Sequence, residues 1–420
     1  MTHRCSVSNP DAHCEESLSS GGSLAGMHVC LATPGLAPGG AQRLVCEELK
    51  HFSEFGAEVS VVTPFVDEEY FAEMDIPEAI EVVVCSADGS RGSFLDRTRR
   101  IRHAIRELSP DVVCSHYRDE EVYLTRKTTD LDFEFTVQLN GTALWFSDNY
   151  RVVPHRRKKQ YPELMDAVPG HREFERDLDP SVGQRLKAEL GEYLRTRALR
   201  SAEAVFVLSG RVRAEVSALY GVDSTIVRAG VPDSWQTRAE RTPTVDIGDG
   251  DRVVLSVSRL EERKRIGLLI SAFAMAESLH DDTCLVIGGT GEEEQALKRR
   301  VRRLDLEEHV VFEGYIPEKK LLKYYKSADV FACPGYMTYG LAPLEAYSTG
   351  AKIALSTDAY VRELLEEKTG VETARRDATA WSEMLATLLD EPAMEPNAEI
   401  IPRWNDFTEQ KYDVFTQLSS

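Results

Sequence analysis

Two segments in the second half of the chain carry residue types that bind phosphate and sugar hydroxyl groups. Arg259 and Lys264 follow the apolar run 253–257, and Glu345 follows the apolar run 329–333. A guanidinium can bind phosphate oxygens through two parallel hydrogen bonds, and an ammonium adds a compact positive charge. A carboxylate accepts hydrogen bonds from hydroxyl groups. Together, these side chains would stabilise the negative charge that develops on a departing diphosphate.

A strand, a loop and a short helix are predicted around Glu345. The run 329–333 has the length and composition of a buried parallel strand. Pro343 suits the first turn of a helix and Gly350 suits its end, so the helix is predicted at residues 341–349. This arrangement would deliver the carboxylate at the carboxyl end of the strand.

The backbone N–H groups of Gly340 and Leu341 would have no partners at the start of this helix. A helix N-terminus after a parallel strand binds anions, and a sugar nucleotide presents both an anion and hydroxyl groups. Taken singly, each segment has a simpler explanation. The segment with Arg259 and Lys264 is also typical of a solvated basic loop. The segment with Glu345 is also typical of an ordinary helix start with a glutamate favoured by the helix dipole.

The two segments, together with several others, resemble glycosyltransferase family 4 of the "glycosyl transferases group 1" type. The similar segments run in the family's order, and they are 38–43, 208–210, 258–273, 285–292, 310–317, 324–331 and 335–350. The resemblance implies a GT-B fold, in which two Rossmann-like α/β/α domains with parallel sheets face each other across a cleft. It also implies transfer of a sugar from a nucleotide-sugar donor with retention of the anomeric configuration.

The resemblance assigns roles to individual residues. It implies that Glu345 binds the ribose hydroxyls and that Arg259 and Lys264 hold the diphosphate during catalysis. The amides of Gly340 and Leu341 would assist these two cations.

The glycine pair of the segment 38–43 is also placed at the donor. Gly39 and Gly40 permit close approach of the backbone to the donor, although a tight turn between a strand and a helix explains them about as well.

Two positions depart from the family's pattern. Met337 stands where members carry a glutamate, and methionine cannot accept a strong hydrogen bond from a hydroxyl. Either the donor sugar differs, or Thr338 or Tyr339 takes over this contact. Asn140 replaces a histidine that precedes glycine; it can bind but cannot carry a proton, and Asn-Gly is also a common turn. These departures motivate an alternative, a catalytically weakened sugar-nucleotide-binding subunit that acts with a partner.

No metal or other cofactor is expected, because family members are thought to use the leaving phosphate itself to draw the proton from the acceptor. The Asp-Leu-Asp triplets at 130–132 and 177–179 lack further ligands nearby. The glycines at 288–291 resemble a dinucleotide fingerprint, but Glu294 stands where its third glycine belongs. The sequence therefore favours a nucleotide-sugar substrate over a bound dinucleotide.

Composition indicates a two-domain protein. The chain has 420 residues, of which 42% are hydrophobic and 29% are charged. A chain of this length and apolar content is larger than a single hydrophobic core and suggests two. A net charge of −20 argues against a nucleic-acid partner. The 8 cysteines have no paired spacing and are interpreted as reduced residues of a cytoplasmic protein.

Alternating apolar runs and amphipathic stretches predict parallel sheets that are covered on both faces. Strands of the first half are predicted at 28–33, 59–63, 80–85, 112–115, 133–139, 205–208 and 225–227. The chain is divided into a disordered segment 1–26, an acceptor-side domain 27–239, a linker 240–251, a nucleotide-sugar domain 252–395 and a final segment 396–420. In the resembled family, a helix such as 404–418 crosses back onto the first domain.

The acceptor is expected to be a glycan or a lipid-linked molecule. Two basic runs are compatible with peripheral contact with an anionic membrane, although a solvated helix face explains each run better. They comprise Arg97, Arg99, Arg100, Arg102 and Arg106 on one predicted helix, and residues 155–159. His116, at the end of a predicted strand, could line the cleft, but a lone histidine at such a position is expected to be structural.

Overall fold

The computed structural model describes residues 26–86, 93–141, 181–232, 235, 252–276, 282–395 and 401–418. Several sequence predictions fall on residues outside these ranges. They are the disordered segment up to residue 25, the linker 240–251, the acidic triplet 177–179 and the basic run 155–159.

Seven parallel strands form the sheet of the N-terminal domain, in the order β3-β2-β1-β4-β5-β6-β7. Their bounds are His28–Ala32 (β1), Glu58–Thr63 (β2), Glu81–Val84 (β3), Val112–His116 (β4), Glu134–Leu139 (β5), Ala204–Val207 (β6) and Thr225–Ile226 (β7). Successive residues of β1 contribute to two different hydrophobic clusters, Val29 and Leu31 to one and Cys30 and Ala32 to the other. Side chains therefore pack against both faces of the sheet, as the apolar runs predict.

Six parallel strands form the sheet of the C-terminal domain, in the order β10-β9-β8-β11-β12-β13. Their bounds are Arg252–Val257 (β8), Thr283–Gly288 (β9), Val310–Gly314 (β10), Val330–Cys333 (β11), Lys352–Ser356 (β12) and Val371–Ala374 (β13). The structure thus confirms the predicted pair of α/β domains with parallel sheets.

Helices connect most of the strands. Those of the first domain are Gly40–Glu54 (α1), Glu68–Glu73 (α2), Phe94–Leu108 (α3), Asp119–Lys127 (α4), Val182–Ser201 (α5) and Gly210–Tyr220 (α6). Those that follow are Ile266–Met275 (α7), Glu294–Arg303 (α8), Glu318–Ser327 (α9), Leu341–Ser348 (α10), Arg362–Leu365 (α11), Ala378–Asp390 (α12) and Trp404–Leu418 (α13). None of the described helices is both long and apolar enough to cross a lipid bilayer.

Each sheet reverses its strand order at one place, between β1 and β4 in the first domain and between β8 and β11 in the second. In open parallel sheets, ligands bind beyond the carboxyl ends of the strands at such reversals. The loops after these four strands carry Gly39, Tyr117, Arg259 and Gly340. The topology therefore places the loops of Gly39 and Tyr117 side by side in the first domain, and those of Arg259 and Gly340 side by side in the second.

The final helix α13 packs on the N-terminal domain. The ring of Phe415 lies 5.4 Å from that of Phe52 in α1 and 6.0 Å from that of Phe206 in β6. Just before α13, the chain lies against the segment that leaves the first domain, and Val231 donates a backbone hydrogen bond of 3.0 Å to Pro402. A Cβ atom on Gly230 would lie only 2.3 Å from the carbonyl carbon of Arg403, so the two segments are in direct contact.

Candidate functional site

The loops that follow β8 and β11 are packed against each other. A Cβ atom on Gly335 would lie 2.6 Å from the Cα of Lys264 and 2.8 Å from the carbonyl oxygen of Arg263. The amide of Tyr336 donates a 3.1 Å hydrogen bond to that same carbonyl. Glycine at residue 335 therefore lets the backbone that carries Lys264 approach the loop that precedes α10.

Arg259 and Lys264 differ in their surroundings. The Arg259 side chain is 64% exposed and forms a 2.9 Å ion pair with Glu261, whose other oxygen accepts a 2.7 Å hydrogen bond from Arg263. Lys264 lies in a short 3₁₀ turn and is half-buried. Burial, followed by the positive charge of Arg263, lowers the pKa of Lys264 to about 8. An anion bound here would favour the charged form of this lysine.

The N-terminus of helix α10 has the features of an anion-binding site. Gly340 occupies its N-cap position with φ of 96°, and no side chain of the described residues caps the helix there. This left-handed conformation favours glycine, which explains the residue at this point of the chain. The amides at the start of the helix, including that of Leu341, are therefore left for water or a ligand.

The residues Met337, Thr338 and Tyr339 have three different environments. Met337 is buried, and its sulfur lies 3.8 Å from the sulfur of Cys333. Tyr339 is also buried, and its hydroxyl donates a 2.6 Å hydrogen bond to the carbonyl of Ala229 in the other domain. Thr338 is partly exposed. Of the two predicted substitutes for the missing glutamate, Thr338 is the one whose hydroxyl lies at the cleft.

Glu345 lies inside α10 and is buried. One of its oxygens pairs with Arg43 of α1, and the other accepts a 2.9 Å hydrogen bond from the hydroxyl of Tyr325. Arg43 also forms a 2.7 Å ion pair with Glu318 and lies over the ring of Trp235. A ribose that binds Glu345 must share this carboxylate with Arg43 and Tyr325, or displace them.

Sequence reasoning missed Arg43, Tyr325 and Glu318 as neighbours of Glu345. Arg43 belongs to the segment 38–43 that carries the resemblance, so its presence was visible but its distant partner was not. A cavity of about 580 Å³ opens beside this group and is bordered by Arg43, Trp235 and Glu318.

The glycine pair Gly39-Gly40 lies at the start of α1, opposite α10. A Cβ atom on Gly40 would lie 4.0 Å from a methyl carbon of Leu341, so the two helix starts face each other across the domain boundary. Gly39 has an extended backbone that any residue can adopt. A Cβ there would meet only the flexible side chain of Gln42.

Asn140 follows β5 on the opposite side of the cleft from α10. Its Nδ2 atom lies 3.0 Å from Nδ1 of His116 at the end of β4. A Cβ atom on the adjacent Gly141 would lie 3.3 Å from the hydroxyl of Tyr117 and 4.0 Å from that of Thr338. The loop after β5 therefore faces the loop after β11.

Tyr117 is a residue of this cleft that sequence reasoning missed. Its φ is 63°, a conformation that is uncommon for residues other than glycine and is often found at functional sites. Tyr117 is 39% exposed, but desolvation of its hydroxyl raises the pKa to about 12, while the charges of Arg195, Arg263 and Arg259 act in the opposite direction. Two of these arginines belong to the other domain, so Tyr117 and the predicted phosphate-binding loop lie in one electrostatic environment.

Among the described residues, one group of side chains has the spacing of a metal site. Glu48, Cys114 and His116 bring ligand atoms within 4.8 Å of one another. However, the ammonium of Lys411 lies 2.7 Å from Glu48 and 3.4 Å from Cys114, where it supplies the positive charge that a metal ion would bring. The predicted independence from metals remains a prediction.

Two family models match this chain. The "Glycosyl transferase 4-like domain" matches residues 39–229, and "Glycosyl transferases group 1" matches residues 238–403. A solved structure, sucrose-phosphate synthase from Thermosynechococcus elongatus, has a TM-score of 0.69 with 15% identity and covers 94% of this chain and 99% of that one. This likeness shows the fold alone.

Two curated relatives are similar over parts of the chain. Alpha-monoglucosyldiacylglycerol synthase of Streptococcus pneumoniae is 25% identical over 246 residues, 56% of this chain and 53% of the relative. A GDP-mannose-dependent alpha-(1-6)-phosphatidylinositol monomannoside mannosyltransferase of Mycolicibacterium smegmatis is 34% identical over 171 residues, 38% of this chain and 44% of the relative. The match thus spans about half the length of these relatives. With both halves of the chain matched by glycosyltransferase families and the GT-B fold in place, the chain belongs to the group 1, family 4-type glycosyltransferases.

Proposed function

We propose that this protein transfers a sugar from a nucleotide-sugar donor to an acceptor, with retention of the anomeric configuration. The observation that carries the proposal is the packing of the loop that bears Lys264 against Gly335, next to the uncapped start of α10. A guanidinium, an ammonium and helix amides there provide the charges that a diphosphate requires. The acceptor would then approach from the opposite side of the cleft, at the loops that follow β4 and β5.

In the proposed reaction, Arg259, Lys264 and the amides of Gly340 and Leu341 hold the diphosphate. The bond between the anomeric carbon and the diphosphate oxygen breaks, and the acceptor oxygen forms its bond to that carbon on the same face of the sugar. The acceptor's proton passes to the leaving phosphate oxygen. The cations stabilise the charge on this leaving group, so neither a metal nor a protein nucleophile is required.

The binding of the donor's nucleoside is assigned to the region of Glu345. Its carboxylate oxygens each hold one protein partner and retain lone pairs for ribose hydroxyls. Gly40 lies opposite Leu341, and together with Gly39 it would let the backbone approach the bound donor. Thr338 takes the sugar contact that Met337 cannot make.

The names of the two curated relatives contain lipid molecules, a monoglucosyldiacylglycerol and a phosphatidylinositol monomannoside. We propose a lipid-linked or glycan acceptor for this chain and a cytoplasmic location with peripheral membrane contact.

Contacts within the protein limit how many arginines of α3 are available to bind a membrane. Arg97 binds Glu121, Arg100 binds the carbonyl of Cys85 and Arg102 binds Thr128. Three of the five predicted basic residues therefore hold contacts within the protein.

A thermal-shift screen against UDP, GDP and ADP and their sugars tests the proposal. A ligand that binds the folded state selectively raises the melting temperature and so identifies the donor base. Transfer to lipid and glycan extracts would then be measured with the selected donor, with and without a chelator. The proposal fails if no nucleotide or nucleotide sugar shifts the melting temperature.

A second candidate function is a sugar-nucleotide-binding subunit with weakened catalysis. The observation that favours it is the burial of Met337, an apolar residue, at the position of a family glutamate. Selective binding of a nucleotide sugar without transfer to any acceptor extract would support this second function over the first.

A further inference from the structure

A chain of buried polar groups connects Asn140 at the cleft with the final helix α13. Nδ1 of His116 lies 3.0 Å from the Asn140 amide nitrogen, and its Nε2 lies 3.1 Å from one oxygen of Glu48. The other oxygen of Glu48 accepts a 2.7 Å hydrogen bond from Lys411. His116, Glu48 and Lys411 are fully buried. Three separate elements, α1, β4 and α13, thus support one side chain at the cleft.

The amide of Asn140 is only half satisfied in this arrangement. Its Oδ1 atom is buried and has no hydrogen-bond partner among the described residues. An unpaired buried acceptor is unfavourable, so such an atom calls for an explanation. Asn140 immediately precedes Gly141, which faces Thr338 across the cleft.

The protonation of His116 decides which atom of the amide faces it. The charged and titratable groups around the imidazole are Glu48 from α1, Cys114 from β4, Asp119 from α4 and Lys411 from α13. Burial is the largest single influence and acts to lower the pKa of His116. The charge and hydrogen bond of Glu48, together with the contact to Cys114, outweigh it and raise the pKa to about 9. At neutral pH the ring then carries a proton on both nitrogens, and its Nδ1–H requires an acceptor.

A half-turn of the Asn140 amide supplies that acceptor. The turn exchanges Oδ1 and Nδ2 without moving the rest of the side chain, so Oδ1 accepts the proton of Nδ1 in a charge-assisted hydrogen bond. The NH₂ group then takes the position of the previously unpaired oxygen. It can donate to an oxygen of a bound ligand, which an unpaired Oδ1 cannot do.

We propose that His116 is a positioning residue: held by Glu48 and Lys411, it orients the Asn140 amide so that its NH₂ group donates to an oxygen of the ligand in the cleft. This inference rests on the proposed transferase function, because it concerns the ligand of that same site. The oxygen recognised is that of a sugar hydroxyl or of a phosphate. Asn140 thereby keeps the binding part of the role of the histidine that the family usually has, without its proton chemistry.

A double-mutant cycle with the donor selected by the thermal-shift screen tests the coupling. His116→Gln, which stays neutral at every pH, and Asn140→Ala are each expected to lower kcat/KM by about tenfold. If His116 acts through Asn140, the double variant loses no more than Asn140→Ala alone. Losses that multiply would overturn the proposal. His103→Gln, an exposed histidine on α3, is the matched control and should leave kcat/KM unchanged.

A spectroscopic measurement needs no ligand and so separates this inference from the proposed function. In protein labelled with ¹⁵N-histidine, the spectrum of His116→Gln identifies the His116 signals by their loss. We expect a doubly protonated ring at pH 7 that titrates near pH 9, and a lower pKa in Asn140→Ala, which lacks the acceptor. A neutral ring at pH 7, or no change in Asn140→Ala, would reject the inference even if a donor binds. If His116→Gln does not fold, the His116 signals are identified by elimination from single variants of the other histidines, and this measurement still decides the matter.

Discussion

Arg43 of the N-terminal domain forms a buried ion pair with Glu345 of the C-terminal domain. The two side chains are 7% and 2% exposed, and the same guanidinium also pairs with Glu318. A carboxylate proposed to bind ribose is therefore already held across the domain boundary before a ligand arrives. Donor binding and domain contact consequently involve the same group.

Replacement of Arg43 by alanine should destabilise the protein. It leaves Glu345 buried without its cation, and removal of one partner of a buried pair costs roughly 3–5 kcal/mol. The loss should appear as a lower free energy of unfolding in urea. The double variant Arg43→Ala, Glu345→Gln should recover part of it. Arg99→Ala, at an exposed position, should change stability by less than about 0.5 kcal/mol. Equal stability of Arg43→Ala and Arg99→Ala would mean that the pair contributes nothing.

Lys264→Ala should weaken binding of the nucleoside diphosphate selected by the screen by roughly 10-fold to 100-fold, since a charge-assisted hydrogen bond contributes about 1.5–3 kcal/mol. Arg259→Ala should have a smaller effect on binding, because its guanidinium is exposed and already paired with Glu261. Isothermal titration calorimetry measures both affinities. Arg299→Ala, an exposed arginine on α8, serves as the control. Unchanged affinity in Lys264→Ala would show that the diphosphate does not bind at this loop.

Nucleoside diphosphate affinity should depend on pH through Lys264. Its pKa of about 8 means that the free protein loses this charge as pH rises above 8, so affinity should fall there and binding should take up a proton. Titrations at pH 8.5 in buffers of different ionisation enthalpy measure this uptake. Lys264→Arg, which stays charged, should bind without it. Proton uptake that is equal in both proteins would assign it to another group.

The same lowered pKa affects folding with a definite sign. Between about pH 8 and pH 10.5, the unfolded chain binds more protons at Lys264 than the folded protein does. This residue alone therefore makes the folded state more stable as pH rises through that interval.

Glu318 should make stability depend on pH in the opposite direction. Burial, followed by the negative charge of Glu345, raises its pKa from 4.5 to about 7, although Arg43 acts to lower it. The folded state binds the extra proton between these values, so this contribution to stability is lost as pH rises from 4.5 to 7. The difference in free energy of unfolding between Glu318→Gln and wild type should therefore shift in favour of the variant by roughly 1–3 kcal/mol from pH 5 to pH 8.

Urea denaturation at the two pH values measures the effect of Glu318→Gln. The exposed Glu292→Gln is its control and should follow the wild type at both. A stability difference between Glu318→Gln and wild type that is the same at pH 5 and pH 8 would contradict the proposed titration.

Gly335→Ala should disturb the phosphate-binding loop. Its Cβ would collide with the backbone of Arg263 and Lys264, which cannot yield as a flexible side chain would. We expect a loss of about 1–3 kcal/mol in stability and weaker binding of the nucleoside diphosphate. Gly267→Ala in the first turn of α7 makes only ordinary contacts, and it should stabilise the protein by up to about 1 kcal/mol. Normal affinity in Gly335→Ala would show that the two loops adjust independently.

The sequence was sufficient to predict the architecture. Parallel strands buried on both faces read as apolar runs, so β1 and β5 were located to within one residue at each end. The predicted helix 341–349 is α10, Leu341–Ser348, because proline and glycine mark helix starts and ends locally.

The partners of the site residues could not be predicted in the same way. Arg43 and Glu345 are 302 positions apart, and Lys411 and Glu48 are 363 apart. Local patterns contain no information on which distant polar groups meet in the fold. The left-handed conformation of Tyr117 was equally hidden, because a tyrosine carries no sign of it in sequence. His116 was expected to be structural, and its burial beside Asn140 became visible only with the fold.

The close contact between the segments around Gly230 and Arg403 bears on how the cleft can open. Both passages of the chain from one domain to the other run side by side at this point, with no room for even a methyl group between them. The two domains are therefore joined at this spot, which makes it the pivot for motion that opens the cleft. Product release would use motion about this pivot, and a larger residue at position 230 would impair turnover without touching either substrate.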